Sequence, residues 1–226
     1  MGKRGPQPKG KVKIKWSANF AYAIGLLVTD GCLYNDGRHI AFVSKDLEQI
    51  YNYMKSLNIE EHIGKNKSGY KNKESFRVQI SDVLFYDFLI KIGIFPHKSR
   101  TIKNIKIQPK YFFDFLRGCF DGDGCFYSYW DPRWKSSYMF YIEFVSASKK
   151  HIDWLRSILK NNINIVGHIS GTEESSVYQL KYAKKEALEI INKMYYNPDV
   201  VCLNRKRIKI QKALKIEEKQ QKTYIK

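Results

Sequence analysis

Residues 20–31 read FAYAIGLLVTDG, and residues 112–124 read FFDFLRGCFDGDG. When Asp30 is aligned with Asp123, the glycine five residues before each aspartate and the Gly-Cys pair after it also coincide. Each stretch has apolar residues at helical spacing and ends at Asp-Gly, a pair typical of a corner in the chain. The chain therefore carries one helix-forming motif twice, which predicts an internal repeat.

Each copy of the motif is followed by the same order of elements. The triplet FVS occurs once in each copy, and a helical pattern, an alternating strand pattern and a second helical pattern follow it. These patterns cover residues 46–58, 76–81 and 82–93 in the first copy and residues 148–161, 177–182 and 183–196 in the second. We therefore predict an α+β fold of two pseudo-symmetric αββαββα repeats, with curved antiparallel sheets that carry helices on one face.

The repeat divides the chain into five predicted segments. They are a basic N-terminal arm (1–15), a first repeat (16–96), a linker (97–109), a second repeat (110–203) and a basic C-terminal tail (204–226).

Charge is distributed unevenly over these segments. The chain has 40 Lys and Arg against 22 Asp and Glu, a net charge of +18. Basic residues are concentrated in the arm and in the tail, which favours a polyanionic partner, most simply nucleic acid. A ribosomal or solubility-driven surface and an anionic membrane surface are the alternatives at this point.

The glycines of the two motifs have predicted structural roles. Gly25 and Gly118 each cost a helix about 1 kcal/mol relative to alanine, so we expect them where two helix backbones approach closely. Gly31 and Gly124 are predicted to take the left-handed conformation that commonly ends a helix.

The aspartates that end the motifs are the candidate chemical groups. Asp30 and Asp123 would lie at helix C-termini, where the helix dipole disfavours a carboxylate, so a compensating cation is expected nearby. If the two helices pack side by side, the carboxylates form a site of hard oxygen ligands suited to Mg²⁺. The alternative is that both are ordinary corners between a helix and a strand.

The stretches AIGLLVTDG (23–31) and LRGCFDGDG (116–124) resemble the signature of the LAGLIDADG homing endonucleases. The repeat pattern resembles the single-chain, two-repeat members of that family over about residues 16–215. The resemblance implies a site-specific endonuclease, of the kind used in intron homing, that hydrolyses both DNA strands and leaves 3′ overhangs. An RNA maturase that assists splicing and a non-cleaving DNA-binding regulator are the alternatives.

The resemblance also implies which residues act. Asp30 and Asp123 would bind the divalent metal, with the backbone carbonyls of Thr29 and Gly122 as further ligands. The expected cofactor is Mg²⁺, with Ca²⁺ supporting binding without cleavage. Lys45, Lys98 and Lys206 are the catalytic candidates around the metal, although Ala147 replaces the polar residue that would match Lys45 in the second repeat.

The resemblance implies that the sheets lie in the major groove of DNA, and alternation along the strands then selects the candidate contacts. Arg and Gln side chains on the face of a sheet can pair with bases in the major groove, and basic loops add phosphate contacts. The candidates are Arg38, Lys65, Lys67, Lys71, Lys73, Arg77, Gln79, Arg133, Lys135, Gln179 and Lys181.

The expected partner is double-stranded DNA, bound by a monomer without a protein partner or a membrane. No apolar run approaches the length of about 20 residues that a transmembrane helix needs, and no secretory signal is present. We therefore expect a protein that is not secreted and that acts in the cytoplasm of a bacterium or phage-infected cell, or in an organelle matrix.

Overall fold

The computed structural model of the chain describes residues 10–67, 74–134, 137–172 and 174–224, although the side chains of 66–67 and 221–224 are not described. Lys71, Lys73 and Lys135, which are among the predicted DNA contacts, lie outside these residues.

The described chain contains two repeats of the same element order. The first contains α1 (Ala18–Asp30), β1 (Gly31–Leu33), β2 (His39–Ser44), α2 (Leu47–Leu57), β3 (Ile63–Lys67), β4 (Glu74–Ser81) and α3 (Val83–Ile92). A short 3₁₀ turn (Pro109–Tyr111) leads into the second, which contains α4 (Phe112–Asp123), β5 (Cys125–Trp130), β6 (Tyr138–Ser146), α5 (Lys149–Ile163), β7 (His168–Ser170), β8 (Tyr178–Ala183) and α6 (Lys184–Met194). The predicted α+β fold of two αββαββα repeats is confirmed.

The two antiparallel sheets have the same topology. The first sheet has the strand order β1-β2-β4-β3, and the second has the order β5-β6-β8-β7. On each central strand, alternate residues are buried against the helices, as Val78 and Ile80 are in β4 and Leu180 and Tyr182 are in β8. The intervening residues therefore form a face of each sheet that points away from the helical layer.

The two motif helices, α1 and α4, pack against each other without side chains between them at their crossing. A Cβ atom on Gly25 would lie 2.2 Å from the Phe115 carbonyl oxygen, and one on Gly118 would lie 2.1 Å from the Tyr22 carbonyl oxygen. The predicted close approach of the two backbones at these glycines is confirmed, and it joins the repeats through a continuous apolar core.

The predicted left-handed conformation of Gly31 and Gly124 is wrong. Both residues are extended, with φ of −83° and −70°, because each motif helix runs directly into a strand. Glycine is required at both positions because a side chain would collide with the preceding helix turn. A Cβ atom on Gly31 would lie 2.5 Å from the Leu27 carbonyl oxygen, and one on Gly124 would lie 2.6 Å from the Phe120 ring.

The N-caps of the helices after the FVS triplets differ between the repeats. Ser148 caps α5, since its hydroxyl accepts a hydrogen bond from the His151 amide. Asp46 occupies the equivalent position before α2, but its carboxylate does not cap the helix and instead accepts two hydrogen bonds from Arg205.

The basic C-terminal segment contains a 21-residue helix, α7 (Asn204–Tyr224). Its buried residues Lys206, Ile210, Ala213 and Glu217 lie on one helical face, which packs against β5 and β6. None of the helices in the described parts of the chain is both long and apolar enough to cross a bilayer.

Candidate functional site

Asp30 and Asp123 are the last residues of α1 and α4, so the crossing of the two helices brings their ends together. A Cβ atom on Gly122 would lie 2.0 Å from the Thr29 hydroxyl oxygen and 2.8 Å from an Asp30 carboxylate oxygen. Asp30 is half-buried, whereas Asp123 is exposed. The structure thus gathers four predicted site residues at one accessible point on the pseudo-dyad.

The two carboxyl groups hold protons more tightly than an ordinary aspartate does. Burial raises the pKa of Asp30 to about 6, and the negative charge of Asp123 adds to the effect. Burial also raises the pKa of Asp123, which the positive charges of Lys206 and Lys98 partly offset. Two partly desolvated carboxylates repel each other when both are ionised. A bound cation would offset this repulsion and favour the ionised form of both.

Lys98 and Lys206 are the compensating cations that the helix ends require. The Lys98 ammonium donates a hydrogen bond to the Gly31 carbonyl, just beyond α1. The Lys206 ammonium donates to the carbonyls of Phe120 (2.5 Å), Gly124 (2.7 Å) and Gly122 (3.1 Å) at the end of α4. Both lysines are buried, so their positive charges lie behind the carboxylates and at the negative poles of the helices.

Burial also changes the acidity of these lysines. It lowers the pKa of Lys98, although the nearby thiol and carboxylates oppose the shift. It lowers the pKa of Lys206 to about 8, against the opposing effect of Asp121. Lys206 therefore stays largely protonated at neutral pH and keeps its three carbonyl contacts.

The third lysine predicted to act, Lys45, is exposed beyond the end of β2. Its counterpart Ala147 lines a cavity of about 210 Å³ together with Thr29, Asp123 and His151. The two repeats therefore differ near the carboxylate pair. The first has the cation Lys45 after its FVS triplet, whereas the second has Ala147 and a cavity there.

The donor set fits a hard divalent cation. Two carboxylates and the carbonyl of Thr29 are oxygen ligands, and Mg²⁺ is commonly held by one or two carboxylates while water and substrate phosphates complete its shell. The Gly122 carbonyl already accepts a hydrogen bond from Lys206, so it is a weaker candidate ligand than the resemblance to the homing endonucleases implies. No group of three or more His, Cys, Asp or Glu residues forms a metal cage within the described residues.

Arg77 and Gln79 lie on the outward face of the first sheet, as the alternation predicted. The Arg77 guanidinium donates to the Tyr34 hydroxyl at 2.5 Å and also to the Gln79 side-chain oxygen. Gly64 and Arg77 are paired in register, whereas Lys65 is paired with Phe76. Lys65 therefore belongs to the face opposite to Arg77, and only backbone is described for Lys67 at the end of that strand.

The outward face of the second sheet is aromatic. The Tyr127 and Tyr141 rings are stacked with centroids 5.2 Å apart, and the Lys181 ammonium lies 5.4 Å from the Tyr127 centroid. Lys181 also lies 3.9 Å from a Glu143 carboxylate oxygen, and Gln179 accepts a hydrogen bond from Ser170 at 3.2 Å. Both predicted contacts, Gln179 and Lys181, are on this face.

The two remaining predicted contacts lie in turns. Arg38 is exposed between β1 and β2, where its amide donates to Asp36 at 3.1 Å. Arg133 is exposed after β5, and its guanidinium lies 3.4 Å from a carboxylate oxygen of Asp131.

Sequence reasoning missed a buried polar network beside the motif helices. Asp121 accepts hydrogen bonds from the Tyr22 hydroxyl (2.8 Å) and from the Leu203 amide (2.7 Å). This contact holds the start of α7 against α4 and so places Lys206. The only signal in the sequence was that Asp121 is acidic in an otherwise apolar motif, whereas the matching residue of the first repeat is Val28.

A second missed residue is Arg117, which is fully buried. Its guanidinium donates to Asp114 (2.8 Å) and to the carbonyls of Met194 (2.6 Å) and Val201 (2.9 Å). Both carbonyls lie far from Arg117 along the chain, so no local sequence pattern could have indicated these contacts.

Residues 112–195 match the family model described as a LAGLIDADG-like domain. The chain is similar to the meganuclease I-SmaMI bound to uncleavable DNA, with a TM-score of 0.61, 13% identity, and 93% of this chain and 92% of that chain covered. The chain has the two-repeat LAGLIDADG fold. In this fold α1 and α4 are the two motif helices, and Asp30 and Asp123 end them.

Other solved structures share the LAGLIDADG fold with this chain. The N-terminal LAGLIDADG domain of DUF199/WhiA is similar with a TM-score of 0.52 and 19% identity, over 80% of this chain and 83% of that one. The homing endonuclease I-DmoI, solved with DNA and Mn, has a TM-score of 0.50 and 14% identity, over 80% of this chain and 97% of that one. No curated protein sequence matches the chain.

Proposed function

We propose that this protein is a divalent-metal-dependent endonuclease that binds double-stranded DNA as a monomer and breaks both strands at a specific site. The observation that carries the proposal is the pairing of Asp30 and Asp123 at the adjoining ends of two motif helices. One carboxylate comes from each repeat, which matches one cleavage event on each strand. The resemblance to homing endonucleases implies that the hydrolysis leaves 3′ overhangs.

In this proposal the two carboxylates hold Mg²⁺, with the Thr29 carbonyl as a further ligand. When bound, the metal makes water a stronger nucleophile and stabilises the negative charge that develops on the phosphate. Lys98 and Lys206 hold the ends of the motif helices in place and supply positive charge behind the carboxylates. Their buried ammonium groups thereby favour the ionised form of both aspartates, which ligand binding needs.

The outward faces of the two sheets would contact the major groove on either side of the carboxylate pair. A ribbon of strands fits this groove, and Arg and Gln read guanine and adenine edges there. Arg77 and Gln79 supply such groups in the first repeat, and Gln179 and Lys181 supply them in the second. Arg38 and Arg133 lie in turns that can reach the phosphates.

The proposal is tested by incubating the protein with a pooled duplex library that includes the genomic DNA flanking its gene. One series contains Mg²⁺, a second contains Ca²⁺, and a third contains a chelator. We expect discrete double-strand breaks with 3′ overhangs in Mg²⁺ only, and binding without cleavage in Ca²⁺. Tight binding without cleavage in either ion would instead favour a non-cleaving regulator or a maturase that acts on intron RNA.

A further inference from the structure

A basic groove of about 920 Å³ lies between the segment that follows α3 and the N-terminus of α5. The side chains that matter to its chemistry are Phe95, Arg100, Lys103, Lys149, Lys150 and Tyr178. Four of these are cations, and no Asp or Glu lines the groove among the described residues. An open groove of one charge sign attracts an anionic partner.

The cations of this groove are largely without internal partners. Lys149 forms an ion pair with Asp153, at 2.8 Å, one turn along α5. Arg100, Lys103 and Lys150 are exposed and form no ion pair with any residue that the structure describes. Like charges that face each other in this way raise the energy of the free protein, and an anion between them lowers it.

The equivalent place in the first repeat is neutralised from within the protein. There Asp46 precedes α2, where Ser148 precedes α5, and Glu48 takes the place of Lys150. Arg205 donates to Asp46 at 2.7 and 3.0 Å, and the Asn204 amide donates to Glu48 at 3.1 Å. The charges at the start of α2 therefore have partners within the protein, whereas Arg100, Lys103 and Lys150 form no ion pair with a described residue.

The groove adjoins the carboxylate pair. Ala147 lines both the groove and the 210 Å³ cavity that Thr29 and Asp123 also line. A polyanion that passes Asp30 and Asp123 can therefore continue into the groove, where the first-turn amides of the 15-residue helix α5 add to the positive potential.

We propose that this groove binds the phosphodiester backbone of duplex DNA next to the carboxylate pair, on the side of the second repeat. The inference rests on the DNA binding of the proposed function, and it adds a phosphate-binding surface made by the inter-repeat segment and α5. Arg100, Lys103 and Lys150 contact successive phosphates, and Phe95 packs against the sugars between them. The two halves of the DNA are therefore held unequally, and more firmly on the side of the groove.

The test compares three forms of the full chain on a fluorescent duplex of mixed sequence, because phosphate contacts do not depend on the target site. One variant is R100Q/K103Q/K150Q. The matched control is K160Q/K185Q/K193Q, which removes the same charge from exposed positions on α5 and α6. Affinity is measured over a range of salt concentrations in Ca²⁺, and urea unfolding confirms that each variant is folded.

Log affinity decreases linearly with log salt concentration, and the steepness of this decrease is smaller by about 0.9 for each phosphate that the protein no longer neutralises. We therefore expect the slope of the groove variant to be about two to three smaller than that of the wild-type protein. Its affinity at moderate salt should be at least about tenfold weaker, with a much smaller change in the control.

Equal slopes for the groove variant and the control would overturn the inference and leave the proposed endonuclease intact. A wild-type protein without affinity for duplex DNA would overturn both. A smaller slope in the groove variant, together with no cleavage by the wild-type protein in Mg²⁺, would support the groove and contradict only the endonuclease.

Discussion

Gly25 and Gly118 face each other across the two motif helices, and a Cβ atom added to Gly25 would lie 2.9 Å from the Gly118 Cα atom. The same added atom would lie even closer to the Phe115 carbonyl oxygen, which belongs to the backbone and cannot turn away as a side chain can. This contact brings the ends of the helices together, and with them Asp30 and Asp123.

Replacement of either glycine by alanine should therefore force the α1 and α4 backbones apart and destabilise the protein. We expect G25A and G118A each to lower the free energy of unfolding by about 3 kcal/mol or more, because backbone must move to admit the methyl group. Urea unfolding measures the change. G64A is the control, since the Arg77 carbonyl oxygen, at 3.7 Å, is the one described neighbour that a Cβ atom there would meet, and it should cost less than about 1 kcal/mol. A G25A variant as stable as G64A would contradict the close contact of the α1 and α4 backbones at Gly25.

The two buried lysines should contribute unequally to stability. Removal of the Lys206 ammonium leaves three carbonyl oxygens without their donor, whereas removal of the Lys98 ammonium leaves one. We expect K206M to lower the free energy of unfolding by about 2–3 kcal/mol and K98M by about 1–2 kcal/mol, as measured by urea unfolding. K209M changes an exposed lysine on the same helix as Lys206 and should have little effect. A K98M variant less stable than K206M would show that the three carbonyl contacts do not stabilise α4.

His151 should make the protein less stable in mild acid. Burial lowers its pKa to about 4, and its Nδ1 lies 2.8 Å from the Lys103 carbonyl oxygen, to which the neutral ring donates. Because an unfolded histidine has a pKa near 6.5, the unfolded chain takes up a proton first as the pH falls. Stability is thus complete above a pH of about 6.5 and is lost progressively down to about 4.

The size of this effect can be measured as a difference between variants. From about pH 7 to pH 5 the wild-type protein should lose about 2 kcal/mol more of its unfolding free energy than H151Q, whose amide can donate to the same carbonyl without titrating. Urea unfolding at the two pH values gives both quantities. Parallel losses in the two proteins would exclude His151 as the cause.

The parts of the fold that sequence patterns predict are those with local signals. The pattern over 148–161 predicts helix α5, which is observed over Lys149–Ile163, because its apolar residues recur at helical spacing and Ser148 precedes them. Asp30 and Asp123 stand out as a pair because the motif occurs twice and ends at the same residue each time. Arg77 and Gln79 were placed correctly on the outward face because alternate residues of a strand such as β4 point to opposite faces of the sheet.

Features that depend on distant contacts were not predictable. The face of α7 that packs on the second sheet contains Lys206 and Glu217 beside Ile210 and Ala213, so it shows no clear apolar stripe. The basic groove joins residues about fifty positions apart in the chain, from Arg100 to Lys150. The extended form of Gly31 arises because the helix continues into a strand, and an Asp-Gly pair cannot distinguish that course from a turn.

The metal-binding role of Asp30 and Asp123 is tested most directly by the cleavage activity of the single variants D30N and D123N in Mg²⁺, on a duplex that the wild-type protein cuts. Each substitution removes a proposed metal ligand while leaving the shape of the site nearly unchanged. We expect either variant to lose double-strand cleavage and to bind the duplex within about tenfold of the wild-type affinity. D87N, which changes an exposed aspartate on α3, should cleave as the wild-type protein does. Full double-strand cleavage by D30N or by D123N would contradict the assignment of the paired carboxylates as the metal-binding centre.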